Sequence, residues 1–398
     1  MTPRPKPVAP ATGAHASDAP ATETPTSSVP ASNGPSPLRA AVEPPLSLEE
    51  ILAWLHEDDE THLMALWAAA DAARAAFVGD EVHLRGLIEI SNYCVRDCRY
   101  CGICVSNRGV DRYRVPAEVI LEAASQAKAF GYGTVVLQSG EDYGIKAGWL
   151  TDVVRQIKAQ TGLAITLSLG ERPDEELALW QQAGADRYLL RFETSDDELY
   201  RSIHPDLPGR VSDRMAILRT LQRLGYEAGT GIMVGLPGQT HLSVARDIDL
   251  FRGMDMDMIG IGPYLPHPAT PLGREHARRA ETGDWMPDQV PNTELMTCKV
   301  VALTRLVRPD ANLPATTALA RIDRQSGRAH GLQRGANVVM PNLTPAEERE
   351  HYEIYPEKAA VHETAEAINA SLMALLASLG RTVGHGPGGR RRAAQAGA

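Results

Sequence analysis

Two hydrophobic patterns alternate along the chain. Short β-branched or apolar runs bounded by turn residues recur between longer stretches in which apolar positions return every three or four residues. The runs are LRGLIEI, TVVLQS, LAITLSL, DRYLLR, EAGTGIMVG, DMIGIG, NLPATT and NVVMP. After the first of them, Pro116 opens a helical pattern in which Ile120, Leu121, Ala124 and Ala127 mark one apolar face. A helical preface, Leu48 to Phe77, precedes the first run. Strand and helix alternating in this way argue a parallel α/β fold, and eight strands make it a (β/α)8 TIM-type barrel, complete or nearly so. The seventh helix is the weak point, because QSGRAHGLQRG is short and rich in glycine. A long irregular connection is also expected between Pro263 and Asn292, so an incomplete barrel stays open.

Composition sets the boundaries. Residues 1–45 hold 11 of the 28 prolines and no Phe, Trp or Tyr, which predicts a disordered tail. Residues 46–382 are expected to form the barrel domain, and residues 383–398, with GHGPGGRRRAAQAGA, a flexible basic tail. Lys and Arg number 40 against 50 Asp and Glu, a net charge of −10, which disfavours nucleic acid as a partner. No apolar run is long enough for a membrane span and the first residues carry no secretory h-region, so the chain reads as soluble and cytoplasmic.

The cysteines bring in chemistry. Cys94, Cys98 and Cys101 follow the first strand at intervals of four and three; Cys104 lies close behind and Cys298 stands apart. Thiols so crowded on a chain of this kind suit a metal or cluster better than a disulfide framework. Three thiolates on a four-iron cluster leave one iron open, as a substrate-binding cluster requires. With Cys104 as a fourth ligand, the same loop would instead hold a closed cluster or a structural zinc. Polar residues gather at the C-terminal strand ends, where a barrel enzyme places its site: Gln138 to Glu141, Arg191 and Glu193, Gly235 to Pro237, Pro263 and His267. Arg187 and Arg191 are four apart on one strand and so share a face. Pointed into a barrel, they would call for an anionic substrate.

The three-cysteine spacing, with Tyr100 before the last thiol and a strand before the first, resembles the radical S-adenosylmethionine (radical SAM) superfamily. The segments SNYCVRDCRYCG, VVLQSGED, DRYLLRFET, MVGLPGQT, MIGIGPYLPHPATPL, LPATTA, GANVVMPNLTP and YEIYP extend the resemblance, in order, to the HydE family of [FeFe]-hydrogenase maturases. That resemblance implies a [4Fe-4S] cluster on Cys94, Cys98 and Cys101, and cleavage of S-adenosylmethionine to a 5′-deoxyadenosyl radical. It implies that Tyr100, Ser139, Gly140 and Glu141 line the methionine end of the cofactor, that Glu193 and Arg214 hold its ribose and carboxylate, and that Met258 and Pro263 pack near its adenosine. Gln138, Arg187, Arg191, Thr316, Thr317, Met340, Tyr352 and Tyr355 would line the substrate cavity below. The implied substrate is a small anionic, organometallic iron complex. The implied partners are the other hydrogenase maturases and a ferredoxin or flavodoxin as reductant.

The chain departs from that family at Phe192, where a histidine is usual, in the added Cys104, and in the lack of C-terminal accessory-cluster cysteines. Two other functions fit the same motifs: an amino-acid mutase of the methylornithine synthase type, and a non-catalytic iron–sulfur carrier. Sulfur insertion of the biotin synthase kind does not fit, since no cysteine falls on strands two to eight.

Overall fold

A computed structural model describes residues 44–356 and 363–391. The strands are β1 (Glu81–Ser91), β2 (Thr134–Ser139), β3 (Ala164–Ser168), β4 (Arg187–Leu189), β5 (Glu227–Val234), β6 (Met258–Pro263), β7 (Val338–Val339) and β8 (Thr382–Val383). They pair in the order β6-β5-β4-β3-β2-β1-β7, each neighbour parallel, with β8 added beside the start of β1. The ring is completed by residues 312–314, the expected seventh run, through parallel bridges from Asn312 to Met258 and from Pro314 to Val338. Ile259 N donates to Asn312 O at 3.0 Å and Ala315 N to Val338 O at 2.9 Å. Pro314 has no N–H to add to the ladder, which keeps this segment to isolated bridges. The barrel is therefore closed, and all eight expected runs take part in it.

Helices wrap the outside because each buries one stripe on the sheet. In helix Ala117–Ala129 the stripe is Ile120, Ala123, Ala124 and Ala127, with Pro116 at the N-cap rather than inside the first turn. The preface is two helices, Leu48–His56 and Glu60–Val78, separated where Asp59 caps the second. The connection after Pro263 contains helix Pro271–Thr282, opened by Thr270 and Pro271. Only Leu272 and Gly273 of that helix are buried, so it carries no apolar stripe for a sequence pattern to show. After residues 312–314 the outer layer is two short helices, Thr317–Ile322 and Gly327–Gln333.

The C-terminal segment needs a correction. The expected N-terminal tail lies, through residue 43, outside the described residues, as do residues 392–398. Residues 384–391, however, are packed across the N-terminal mouth of the barrel. Gly388 O accepts from buried Arg85 Nη2 at 3.0 Å, Pro387 O accepts from Thr134 Oγ1 at 2.9 Å, and Arg390 Nη2 pairs with Asp310 at 2.6 Å. A Cβ on Gly133 would stand 1.6 Å from Gly386 O, so glycine there lets the two backbones touch. The glycines that suggested flexibility instead permit close approach.

Candidate active site

A cavity of about 340 Å³ opens at the C-terminal mouth of the barrel. The loop after β1 supplies Cys94, Cys98, Tyr100 and Cys101 to its wall; the end of β2 supplies Gln138, Ser139, Gly140 and Glu141. Arg191, Glu193, Arg214, Pro263, Thr316, Thr317, Met340, Tyr352 and Tyr355 complete the expected set on the same wall, with Met258 at its floor.

The cysteine loop is folded tightly around its thiols. Cys101 N donates to Cys98 O at 3.2 Å, Cys104 N to Cys101 O at 3.1 Å, and Val95 N to Glu141 O at 3.0 Å. A Cβ on Gly140 would stand 2.3 Å from Tyr93 O, so a bare backbone lets the end of β2 lie against this loop. Burial pushes the thiol of Cys98 up to about 12 and raises those of Cys94 and Cys101 as well. Thiols in such surroundings ionise only when a metal centre takes the charge. Cys94, Cys98 and Cys101 all stand on the cavity wall, the arrangement that a cluster held by three thiolates with one open iron needs. Cys104 does not line the cavity; its Sγ lies 3.5 Å from Ser106 Oγ.

Charge beside the thiols is organised around two arginines. Arg96, buried, donates from Nε to Glu141 at 3.0 Å and from Nη2 to Glu171 at 2.6 Å. Arg214 donates from Nε to Glu171 at 3.1 Å and from Nη1 to Arg191 O at 2.6 Å. Its Nη2 meets Nε2 of His204, an imidazole that burial and the two arginines hold neutral by lowering it to about 2. The carboxylate that Arg214 pairs with is Glu171, and the cation beside Glu193 is Arg191. Glu193 sits 7% exposed at φ 67°, the left-handed region that a side chain enters at a cost. Its buried Oε2 has no hydrogen-bond donor, and Arg191 Nη2 lies 3.3 Å away without hydrogen-bond alignment. A strained carboxylate on the cavity wall, with one oxygen that has an ion-pair contact but no hydrogen bond, fits a ligand hydroxyl or ammonium. Arg96 Nη1 is likewise buried without a partner and suits a ligand carboxylate. An amino-acid nucleoside has these groups.

Deeper in the barrel, Gln138 Nε2 donates to Tyr352 Oη at 3.3 Å, and Thr316 Oγ1 caps helix Thr317–Ile322 by accepting from Leu319 N at 3.3 Å. Arg191 Nε is buried without a partner, while its Nη2 donates to Ile232 O.

One expected placement is corrected. Arg187 shares a face with Arg191 but lies four residues down the strand, roughly 13 Å away. It is absent from the cavity wall, bonded instead to Glu227 and, at 3.0 Å, to Thr134 Oγ1 in the barrel floor. Its charge is neutralised by a carboxylate of this chain, so it needs no substrate. Met258 opens β6 whereas Pro263 ends it, roughly 16 Å higher. Its thioether contacts Arg85 Nη1 at 2.9 Å, and it lines the deep end of the same cavity whose wall includes Pro263. Phe192 points outward, between the two inward residues 191 and 193, and packs on Phe251 with ring centroids 5.7 Å apart. The departure at 192 therefore does not change the cavity wall.

Arg96 and Glu171 were not singled out from sequence. Glu171 had a usable signal: it follows the third strand at its C-terminal end, as Glu141 follows the second and Glu193 the fourth.

Comparison with known proteins agrees with this geometry. The model of the radical SAM superfamily matches residues 88–251. The [FeFe] hydrogenase maturase subunit HydE of Thermotoga maritima is 46% identical over 82% of this chain and 89% of its own length. A 3-methylornithine synthase of Methanosarcina acetivorans is 30% identical over 74% of this chain and 79% of its own length. A crystal structure of methylornithine synthase superposes with a TM-score of 0.69, covering 85% of this chain and 94% of that one at 24% identity, a likeness of fold.

Proposed function

Because the chain belongs to the radical SAM superfamily and, within it, to the HydE family of [FeFe]-hydrogenase maturases, we propose that it acts in assembly of the hydrogenase active-site cluster on a small, anionic iron complex. It is a radical SAM enzyme whose cofactors are a [4Fe-4S] cluster and S-adenosylmethionine. The observation that carries the reading is one cavity running from three thiols past the strained Glu193 to the Arg191 guanidinium.

When bound, the cluster and cofactor together supply reductive cleavage of a carbon–sulfur bond. Cys94, Cys98 and Cys101, which line the cavity, would hold the cluster. Glu193 would accept from ribose hydroxyls or the ammonium. Arg96 Nη1 would donate to the carboxylate, with Arg214 fixing the wall beside it. Tyr100, Ser139, Gly140 and Pro263 would exclude water around the cofactor. Arg191 would anchor an anionic substrate, with Gln138, Thr316, Thr317, Met340, Tyr352 and Tyr355 around it. A ferredoxin or flavodoxin would deliver the electron, and other maturases would supply or receive the substrate. Among the described residues, no helix is long and apolar enough to cross a membrane.

Glu193→Ala is expected to raise the cofactor dissociation constant roughly ten- to a hundred-fold, about 1.5–3 kcal/mol for a charge-assisted hydrogen bond, with iron content unchanged. Calorimetry on cluster-loaded protein checks it; unchanged affinity would remove Glu193 from the cofactor site. Substrate class is read from 5′-deoxyadenosine formed by reduced enzyme with each candidate. An iron–carbonyl–cyanide–cysteine complex should stimulate it and support hydrogenase activation. Stimulation by lysine alone would favour the mutase, and no cofactor cleavage under any condition would leave an iron–sulfur carrier.

A further inference from the structure

We propose that His56, His241 and Asp288 form a second metal site, outside the barrel, for one divalent first-row transition ion such as zinc. Three separate elements bring the ligands together. His56 ends helix Leu48–His56, His241 begins helix His241–Met254, and Asp288 lies in the turn after helix Pro271–Thr282. Their ligand atoms all fall within 4.8 Å of one another. His241 Nδ1 is 2.9 Å from Asp288 Oδ1, and His56 Nε2 is 3.7 Å from the same oxygen. A tetrahedral ion with nitrogen and oxygen ligands at about 2.0–2.1 Å sets them roughly 3.4 Å apart, between those two separations. The two imidazole nitrogens, within 4.8 Å of each other, are the pair that would have to close on the ion, by rotation of the half-exposed His56 side chain.

The two imidazoles are stacked, with centroids 4.1 Å apart and planes 29° from parallel. Because an ion lies in the plane of each ring that binds it, the half-exposed His56 ring would turn to aim Nε2 at the shared ion. His241 now uses Nδ1 toward Asp288; with its proton moved to Nε2, the ion takes the place of that hydrogen. The nearby cation, Lys299, is engaged by Asp58 at 2.9 Å and Leu55 O at 3.2 Å, so its charge is largely offset. Two imidazoles and one carboxylate select a borderline ion over magnesium or calcium. The side chains of His56 and Asp288 are 52% and 43% exposed, which leaves water to complete the coordination. The ion would fasten the N-terminal helix to the helix that follows β5, a structural role independent of the radical chemistry.

The test uses the full chain with its cluster in place, titrated anaerobically with zinc, and in parallel with cobalt as a spectroscopic probe. One equivalent of zinc beyond the cluster iron is expected, with a raised melting temperature. The cobalt spectrum should be that of nitrogen and oxygen ligands, without thiolate charge transfer. His56→Ala and His241→Ala should each lose the extra equivalent and the thermal shift while keeping cluster iron and cofactor cleavage. Asp288→Asn, the mildest change, should weaken zinc at least tenfold and guards against misfolding of the histidine variants. No uptake beyond the cluster, uptake unaltered in all three variants, or a thiolate band in the cobalt spectrum would overturn the proposal.

Discussion

Cys98→Ala is expected to abolish cluster binding and, with it, all reductive cleavage of S-adenosylmethionine, whereas Cys104→Ala keeps both at the level of the unaltered protein. The contrast follows from where the two sulfurs point. Both thiols are buried, but only Cys98 faces the cavity; Cys104 turns toward Ser106. Losing one of three ligands leaves two thiolates on a cluster that needs at least three protein ligands to persist in competition with water. Cys94→Ala and Cys101→Ala should behave as Cys98→Ala does. Iron and acid-labile sulfide content, with the electron paramagnetic resonance of the reduced protein, reads the outcome directly. A normal cluster signal in Cys98→Ala, or its loss in Cys104→Ala, would mean that the ligand set has been misassigned.

The cysteine assignment was legible because four- and three-residue intervals after a strand are a local pattern, and a local pattern survives without knowledge of the fold. The eight strands were legible for the same reason, down to residues 312–315. What the pattern could not show was depth. Arg187 and Arg191 share a face by strand alternation, yet four residues of rise put one in the floor beside Glu227 and the other at the cavity. Met258 and Pro263 stand at opposite ends of β6, yet both line the cavity. Helix Pro271–Thr282 escaped notice because a helix lying on the surface needs no apolar stripe. The segment 384–391 was misjudged because glycine signals both freedom and close approach, and only the packing partner, here Gly133, tells which. Phe192 illustrates the converse: a departure from a family residue counts only if its side chain faces the site.

Glu171→Gln is expected to be the most damaging single substitution near the site that touches neither a thiol nor the cofactor. The Glu171 side chain is 1% exposed and holds three groups at once: Arg96 at 2.6 Å, Arg214 at 3.1 Å and the Ser212 hydroxyl. Its Oε1 and Oε2 take separate arginines, so an amide can satisfy at most one of them. Arg96 would keep Glu141, whereas among the described residues no other carboxylate is bonded to Arg214, whose buried charge would be left with the Arg191 carbonyl and a neutral imidazole. Removing one partner from a buried pair typically costs about 3–5 kcal/mol, which for a barrel of this size lowers the melting temperature by roughly 4–7 °C. Glu171 is a positioning residue, so stability alone does not test it. Arg96 Nη1 and the Arg214 wall would also lose their fixed geometry, and cofactor affinity should fall at least tenfold in variant protein that still carries a full complement of cluster iron. Glu171→Asp, which keeps the charge on a shorter arm, should recover part of both effects. A variant that melts early yet binds cofactor with unchanged affinity would show that the arginines hold their positions without Glu171, and that its role is confined to folding.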